Sequence, residues 1–132
     1  MVAYLALGSN LGEKETNLRT AIDFLNQQAG TITARSSVHQ TAPWGFESTN
    51  SFLNMAVCLQ TDLSPIDLLH TVKAIEQQMG RLPKTDNHYH DRLIDIDIIL
   101  YDDVVMQSDE LTLPHPLYKQ RAFVLKPLEE IR

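Results

Sequence analysis

Apolar residues along the chain follow two different periods, which predict four strands and two helices. Residues 2–8 are apolar on both faces and predict a central strand that ends at Gly8-Ser9-Asn10. Residues 31–40 are rich in β-branched side chains and predict a second strand. The apolar runs at 52–60 and 93–101 predict two more strands.

Two segments between these strands have helical spacing. The first is a stripe at i, i+3, i+4, i+7 and i+11, formed by Leu18, Ala21, Ile22, Leu25 and Ala29. The second helix begins at Ser64-Pro65-Ile66-Asp67, with a capping serine, a proline in the first turn and an acid at the third position. The segments 41–50 and 81–92 have no period and are predicted to be loops, and the tail after Tyr101 is predicted to be irregular.

The order β-α-β-β-α-β is typical of an α+β sandwich of the ferredoxin-like kind, with an antiparallel sheet and two helices packed on one face. A chain of 132 residues is long enough for one hydrophobic core. We therefore expect a single domain over residues 1–132.

Charge and cysteine content narrow the range of partners. Eleven basic residues against seventeen acidic ones give a net charge of −6, which argues against nonspecific binding to nucleic acid or to an anionic membrane. The single cysteine, Cys58, lies in an apolar run and is expected to be a buried thiol, which fits a reducing, cytoplasmic setting. No apolar run approaches the ~18 residues needed to cross a bilayer, and the amino terminus lacks the pattern of a signal peptide.

Asp95 and Asp97 alternate with apolar residues in the last predicted strand. Strand residues two apart point to one face, so both carboxylates should lie opposite a core made by Ile94, Ile96 and Ile98. From the alternation alone, such a pair of aspartates more often marks an ordinary solvent-exposed face of a strand. Aspartate is disfavoured in strands, and like charges on one face repel unless a cation bridges them, which favours a seat for Mg²⁺.

Other candidates have both a functional and a structural interpretation. Arg92, close to the two aspartates, could hold phosphate oxygens or pair with the carboxylates. Phe52 could stack on a flat polar heterocycle and Asn54 could hydrogen-bond to its edge; alternatively, Phe52 is a core residue and Asn54 an edge residue. His115, held between two prolines, could be a site residue or a structural histidine. A zinc site at His88 and His90 has weak support, because no third ligand is evident.

The longer motifs resemble those of one enzyme family. They run in that family's order over essentially the whole chain: YLALGSNLG at 4–12, TAPWG at 41–45, FLNMAV at 52–57, IEQQMGR at 75–81, RLIDIDIILY at 92–101 and LPHPLYKQRAFVLKPL at 113–128. On these motifs the chain resembles the 6-hydroxymethyl-7,8-dihydropterin pyrophosphokinases of folate biosynthesis. The resemblance implies an ATP- and Mg²⁺-dependent diphosphokinase, expected to be a monomer, that transfers a pyrophosphoryl group to the hydroxymethyl group and releases AMP.

The resemblance also implies roles for individual residues. Asp95 and Asp97 would hold two Mg²⁺ ions. The pterin pocket would consist of Thr41, Pro43, Trp44, Phe52, Asn54 and Phe123, with the ring between the two phenylalanines. The catalytic and phosphate-side groups would be Arg81, Arg92, His115 and Arg121. The nucleotide site would be lined by Glu76, Ile98, Thr112 and Pro116.

Three features depart from the family pattern. Tyr89-His90-Asp91 stands where the family usually has Trp-Gly-Pro, a second arginine expected soon after Arg81 is replaced, and family members usually continue past Arg132. The altered loop motivates an alternative, a protein of the same fold that binds pterin or nucleotide without turnover. An RNA-binding module is a third class, disfavoured by the net charge and by the lack of an exposed aromatic pair with basic neighbours.

Overall fold

The computed structural model of the chain describes residues 1–41, 51–80 and 93–132, without the side chain of Thr41. Within these ranges the elements are β1 (Val2–Ser9), α1 (Lys14–Gln28), β2 (Thr31–Arg35), β3 (His39–Thr41), β4 (Phe52–Gln60), α2 (Pro65–Gln78), β5 (Asp95–Tyr101), β6 (Met106–Gln107), β7 (Thr112–Leu113), a 3₁₀ turn (Tyr118–Gln120) and α3 (Ala122–Ile131).

The main sheet has the strand order β2-β4-β1-β5, with β3 also paired to β4, and every pairing is antiparallel. Each of the two long helices connects parallel strands that have another strand between them. This interleaved order confirms the predicted ferredoxin-like sandwich. The small hairpin of β6 and β7 forms a separate two-stranded sheet.

The predicted stripe of α1 and the apolar face of α2 pack on one face of the sheet. Leu18 and Leu25 from α1 and Leu68 and Ile75 from α2 are buried in one core with the alternate residues of the strands. α2 begins as predicted, since the Ser64 hydroxyl accepts a hydrogen bond from the Asp67 N–H at 3.1 Å and Pro65 is the first helical residue.

The prediction of an irregular tail is wrong, because residues 122–131 form α3 on the other face of the sheet. Val124 and Leu128 of this helix are buried against Ile99 of β5. Pro127 lies inside the helix and is itself buried. Proline removes one helical hydrogen bond, so the tail lacks a strong helical signal, and packing on the sheet supplies the stability that local propensity does not.

Strand boundaries differ from the prediction at three places. The segment 31–40 forms two strands, because Ser36 turns inward and its hydroxyl accepts a hydrogen bond from the Ala56 N–H at 2.9 Å. β1 continues through Gly8 to Ser9, and β5 begins at Asp95. The helices of the described ranges are all too short or too polar to cross a membrane.

A register shift divides β5 between the two cores. Tyr4 pairs with Leu100 and Leu5 with Ile98, so Ile99 is an extra residue. Ile98 and Tyr101 consequently lie in the core under α1 and α2, whereas Ile99 and Leu100 both face α3.

Candidate active site

Asp95 and Asp97 lie half-buried at the start of β5, on the face of the sheet that is opposite α1 and α2. Their neighbours Ile94, Ile96 and Ile98 are 0%, 5% and 2% exposed in the two-helix core. The alternation therefore orients the two carboxylates as the sequence predicts. Both come from one strand, so the backbone fixes the spacing between them.

Two rows of residues cross the sheet on the aspartate face. Gly8 of β1 pairs with Asn54 on one side and with Asp95 on the other. In the next row, Ala6 pairs with Ala56 and with Asp97. The middle strand thus contributes only small residues between an amide on β4 and the carboxylates on β5.

Gly8 keeps the first of these rows open. A Cβ added at Gly8 would lie 3.1 Å from Asn54 Oδ1 and 3.6 Å from Phe52 Cδ1. Asn54 is 6% exposed and Phe52 is half-buried, so both already pack closely there. The sequence predicts Gly8 only as the end of a strand and misses its place in the floor of the site.

Two more residues, which the sequence predicts only as the end of a strand, are buried beside this floor. Ser9 and Asn10 are both completely buried. Asn17 Nδ2 of α1 donates hydrogen bonds to Ser9 Oγ at 3.2 Å and to the Leu11 carbonyl at 2.9 Å. These contacts fix the chain directly after Gly8. Polar residues after an apolar strand are usually exposed, so their pattern alone gives no signal of burial.

Glu76 attaches α2 to the backbone between the two aspartates. Its Oε2 accepts a hydrogen bond from the Ile96 N–H at 2.8 Å, and the side chain is buried. Because the Ile96 N–H is bonded to Glu76, it points away from β1, toward the outer edge of β5.

His115 lies against the same strand. Its N–H donates to the Ile99 carbonyl at 2.9 Å, and its Nδ1 lies 2.9 Å from the Pro116 carbonyl. Burial lowers the pKa of the imidazole, and the Arg121 cation lowers it further. The hydrogen bond with Pro116 and the Asp95 carboxylate act in the opposite direction on the same pKa. The structure thus places His115 within electrostatic reach of Arg121 and Asp95.

The remaining predicted residues of the described ranges lie around this face or behind it. Arg121 and Phe123 are half-buried at the start of α3, which packs on β4, the strand that begins with Phe52. Thr112 pairs with Gln107 in the small hairpin. The side chain of Ile98 faces the two-helix core, so only its backbone can take part in a site at the edge of β5.

Several predicted residues fall outside what the structure describes. These are Pro43, Trp44, Arg81 and Arg92, together with the Thr41 side chain and the His88 and His90 pair. The backbone of Thr41 pairs with Phe52 in β3.

The donor set on β5 suits a hard cation. Magnesium commonly takes one or two carboxylates and completes its octahedron with water and phosphate oxygens. Within residues 1–41, 51–80 and 93–132, no three His, Cys, Asp or Glu side chains are grouped so that they could hold a metal. A cation at Asp95 and Asp97 would complete its shell with other oxygen ligands, such as water or phosphate oxygens.

Fold and site together define a ferredoxin-like protein in which two carboxylates, an amide and an aromatic ring lie on one face of the sheet. The family model described as 7,8-dihydro-6-hydroxymethylpterin-pyrophosphokinase (HPPK) matches residues 4–132. The chain belongs to this family, as its motifs predict.

Curated relatives are similar over nearly the whole chain. The 2-amino-4-hydroxy-6-hydroxymethyldihydropteridine pyrophosphokinase of Porphyromonas gingivalis is 46% identical over 132 residues, covering 98% of this chain and 90% of the relative. The enzyme of the same name from Bacillus subtilis is 43% identical, covering 98% and 77%. The folic acid synthesis protein FOL1 of Dictyostelium discoideum is 42% identical, but the match covers only 19% of that longer protein.

Solved structures share the fold at low sequence identity. An HPPK-DHPS in complex with substrates superposes with a TM-score of 0.77 at 16% identity, covering 98% of this chain and 40% of the other. A triple mutant of Plasmodium falciparum HPPK-DHPS gives a TM-score of 0.79 at 16% identity, covering 98% and 39%. The chain thus corresponds to about two-fifths of those longer proteins.

Proposed function

We propose that this chain transfers a pyrophosphoryl group from ATP to the hydroxymethyl group of 6-hydroxymethyl-7,8-dihydropterin and releases AMP, a step of folate biosynthesis. The observation that carries the proposal is the row Asn54–Gly8–Asp95 across the sheet, which joins a ring-binding side to a cation-binding side. Family membership and the names of the curated relatives support the reaction type.

The pterin would bind over β4 and the start of α3. Aromatic faces stack on a flat bicyclic ring, and an amide offers both a donor and an acceptor to its edge. Phe52 and Phe123 are half-buried on these two elements, and the Asn54 side chain lies beside Gly8. Thr41, Pro43 and Trp44 are proposed for the same pocket on the motif TAPWG.

Asp95 and Asp97 would hold Mg²⁺, with two ions expected from the family resemblance. When bound, magnesium neutralises charge on the phosphate oxygens and makes the attacking hydroxyl more acidic. The contribution of the chain itself is to hold both carboxylates on one rigid strand, with the backbone between them tied to Glu76.

The phosphate side would be completed by cationic groups. In the transfer, the hydroxymethyl oxygen loses its proton to solvent and bonds to the β-phosphorus, the bond from this phosphorus to the α-bridging oxygen breaks, and AMP leaves with that oxygen. Arg121 can neutralise charge on the transferred group, and His115, whose pKa is lowered, offers a neutral imidazole at pH 7. Arg81 and Arg92 are proposed for the same task on their motifs.

The nucleotide would lie along the outer edge of β5. Strand residues two apart orient their backbones alike, so Ile98 follows Ile96 in directing its N–H away from β1. That edge is bordered by Glu76 and His115, with Thr112 and Pro116 nearby in sequence. A base bound there would meet the backbone of Ile98 and not its side chain.

The reaction can be tested by incubating the chain with ATP, Mg²⁺ and 6-hydroxymethyl-7,8-dihydropterin and measuring AMP. We expect Asp97→Ala to lower the rate of AMP release at least about a hundredfold while the unfolding transition stays cooperative, because this side chain lies outside both cores. Asp103→Ala is the matched control, since Asp103 is exposed just beyond β5.

Two results would contradict the proposal. Binding of both ligands without AMP release would favour the non-catalytic alternative. Equal rates for the wild type and Asp97→Ala would remove the paired aspartates from the mechanism.

A further inference from the structure

The side chain of Leu93 fits between two glycines that belong to different parts of the chain. A Cβ added at Gly12 would lie 3.3 Å from Leu93 Cδ2, and one added at Gly80 would lie 3.3 Å from Leu93 Cδ1. Each terminal methyl group of this leucine therefore faces the bare backbone of one glycine. Both glycines have left-handed backbones, with φ of +67° and +97°, so side chains are disfavoured at both positions.

The three residues join the ends of three elements at the site. Gly12 follows β1, Gly80 follows α2, and Leu93 comes two residues before Asp95. Ile94 is completely buried in the two-helix core, and Glu76 of α2 binds the Ile96 N–H. The chain entering β5 is thus held at residues 93, 94 and 96, and Leu93 makes the first of these contacts.

We propose that Leu93 is a positioning residue, whose forked end, held between Gly12 and Gly80, fixes the direction in which β5 presents Asp95 and Asp97 to a divalent cation. The inference rests on the proposed function for the identity of the cation complex. Leu93 contacts the turns after β1 and α2, and it acts only through β5, which begins two residues later.

The geometry makes the shape of the side chain important as well as its size. Leucine carries two methyl groups on one carbon, so it can contact two facing glycines at once. Isoleucine has the same volume but carries only one methyl group at that distance from the backbone. Magnesium requires near-ideal octahedral ligands, and small displacements of reacting groups are costly, so a shift of the strand should weaken binding.

The first experiment compares the wild type with Leu93→Ile and Leu93→Ala. Calorimetric titration with Mg²⁺ and α,β-methylene-ATP, which cannot be cleaved at the α–β bond, measures the dissociation constant of the complex. We expect Leu93→Ile to raise this constant about tenfold and Leu93→Ala by at least as much, with the dissociation constant for the pterin unchanged. Amide exchange at Ile96, measured without ligands, should be faster in both variants.

Leu25→Val is the matched control. Leu25 is a completely buried leucine on the last turns of α1, at the end of the sheet away from Asp95. This variant should lower the melting temperature without changing the Mg²⁺–nucleotide constant or the exchange of Ile96. A Gly80→Ala substitution, made alone and with Leu93→Ala, should show coupling, because part of its effect depends on contact with Leu93.

If both Leu93 variants kept the wild-type dissociation constant and the wild-type exchange rate of Ile96, the inference would be overturned. This leucine would then be a stabilising contact only. Failure of the proposed function would look different. The wild type would then release no AMP, while the amide exchange of Ile96 would still report whether Leu93 holds the strand.

Discussion

At the scale of single residues, the site depends on the absence of a side chain at Gly8. It pairs with Asn54 and Asp95 in the same row, and its hydrogen atom occupies a place where a methyl group would press on the Asn54 amide. Substitution of this glycine by alanine keeps an acceptable strand conformation, because the requirement for glycine is one of space.

We predict that Gly8→Ala weakens binding of 6-hydroxymethyl-7,8-dihydropterin about tenfold, or ~1.4 kcal/mol. The added Cβ would lie 3.1 Å from Asn54 Oδ1, so the amide must move from the position in which we propose it binds the ring edge. Calorimetric titration with the pterin measures the change. The Mg²⁺–nucleotide constant of the same variant is the internal control, and an unaltered pterin constant would refute the role of Gly8.

The sequence predicts the orientation of Asp95 and Asp97 because a strand has a period of two and their apolar neighbours define the buried face. It does not predict the floor at Gly8, since a glycine at a strand end is also typical of a turn. The buried Ser9 and Asn10 were missed for a similar reason. Asn17 of α1 donates hydrogen bonds to Ser9 Oγ and to the Leu11 carbonyl, on either side of Asn10, and the sequence does not place this partner nearby.

At the scale of elements, α3 brings Arg121 and Phe123 to the site with its first turn and is held to the sheet at its last turn. Glu130 accepts hydrogen bonds from the Ser37 N–H at 2.8 Å and from the Ser37 hydroxyl, and it contacts His39 Nε2. These bonds, chiefly the one from the Ser37 N–H, lower the pKa of Glu130 from 4.5 to about 2. The tail is therefore anchored by contacts that no local sequence pattern shows.

We predict that Glu130→Gln removes a pH-dependent part of the stability. The carboxyl pKa is lower in the folded state, so its contribution is complete above pH 4.5 and is lost as the pH falls toward 2. Urea unfolding at pH 7, 4.5 and 3 should show the wild type more stable at pH 7, with the difference shrinking as the pH falls. Glu129→Gln is the control, and a pH-independent difference would contradict the prediction.

At the scale of the whole molecule, the sheet separates a core under α1 and α2 from a smaller core under α3. Ile98 and Ile99 are adjacent in sequence, and both are almost completely buried, but they lie in different cores because of the bulge. The succession of the four main strands and the two long helices along the chain could be predicted from the sequence, because helical and strand periods alternate clearly. The bulge could not, since four consecutive apolar residues at the end of β5 fit either face.

We predict that Ile98→Ala and Ile99→Ala each cost about 2–5 kcal/mol of unfolding free energy, because both leave a cavity. Their local effects should differ. Ile99→Ala should increase amide exchange in α3, and Ile98→Ala should increase it in α1 and α2. Exchange measured by mass spectrometry distinguishes the two patterns. Identical patterns would mean that the two layers open as one unit.

The contacts on the outer side of β5 also affect the tendency of the protein to aggregate at high concentration. Among the described residues, β5 is an edge strand of the sheet, and edge strands readily pair with strands of other chains and aggregate. Here the Ile96 N–H is already bonded to Glu76, and the Ile99 carbonyl to the N–H of His115. The groups that border β5 therefore also protect it from pairing with another chain, so a variant such as Glu76→Ala should aggregate more readily as well as release AMP more slowly.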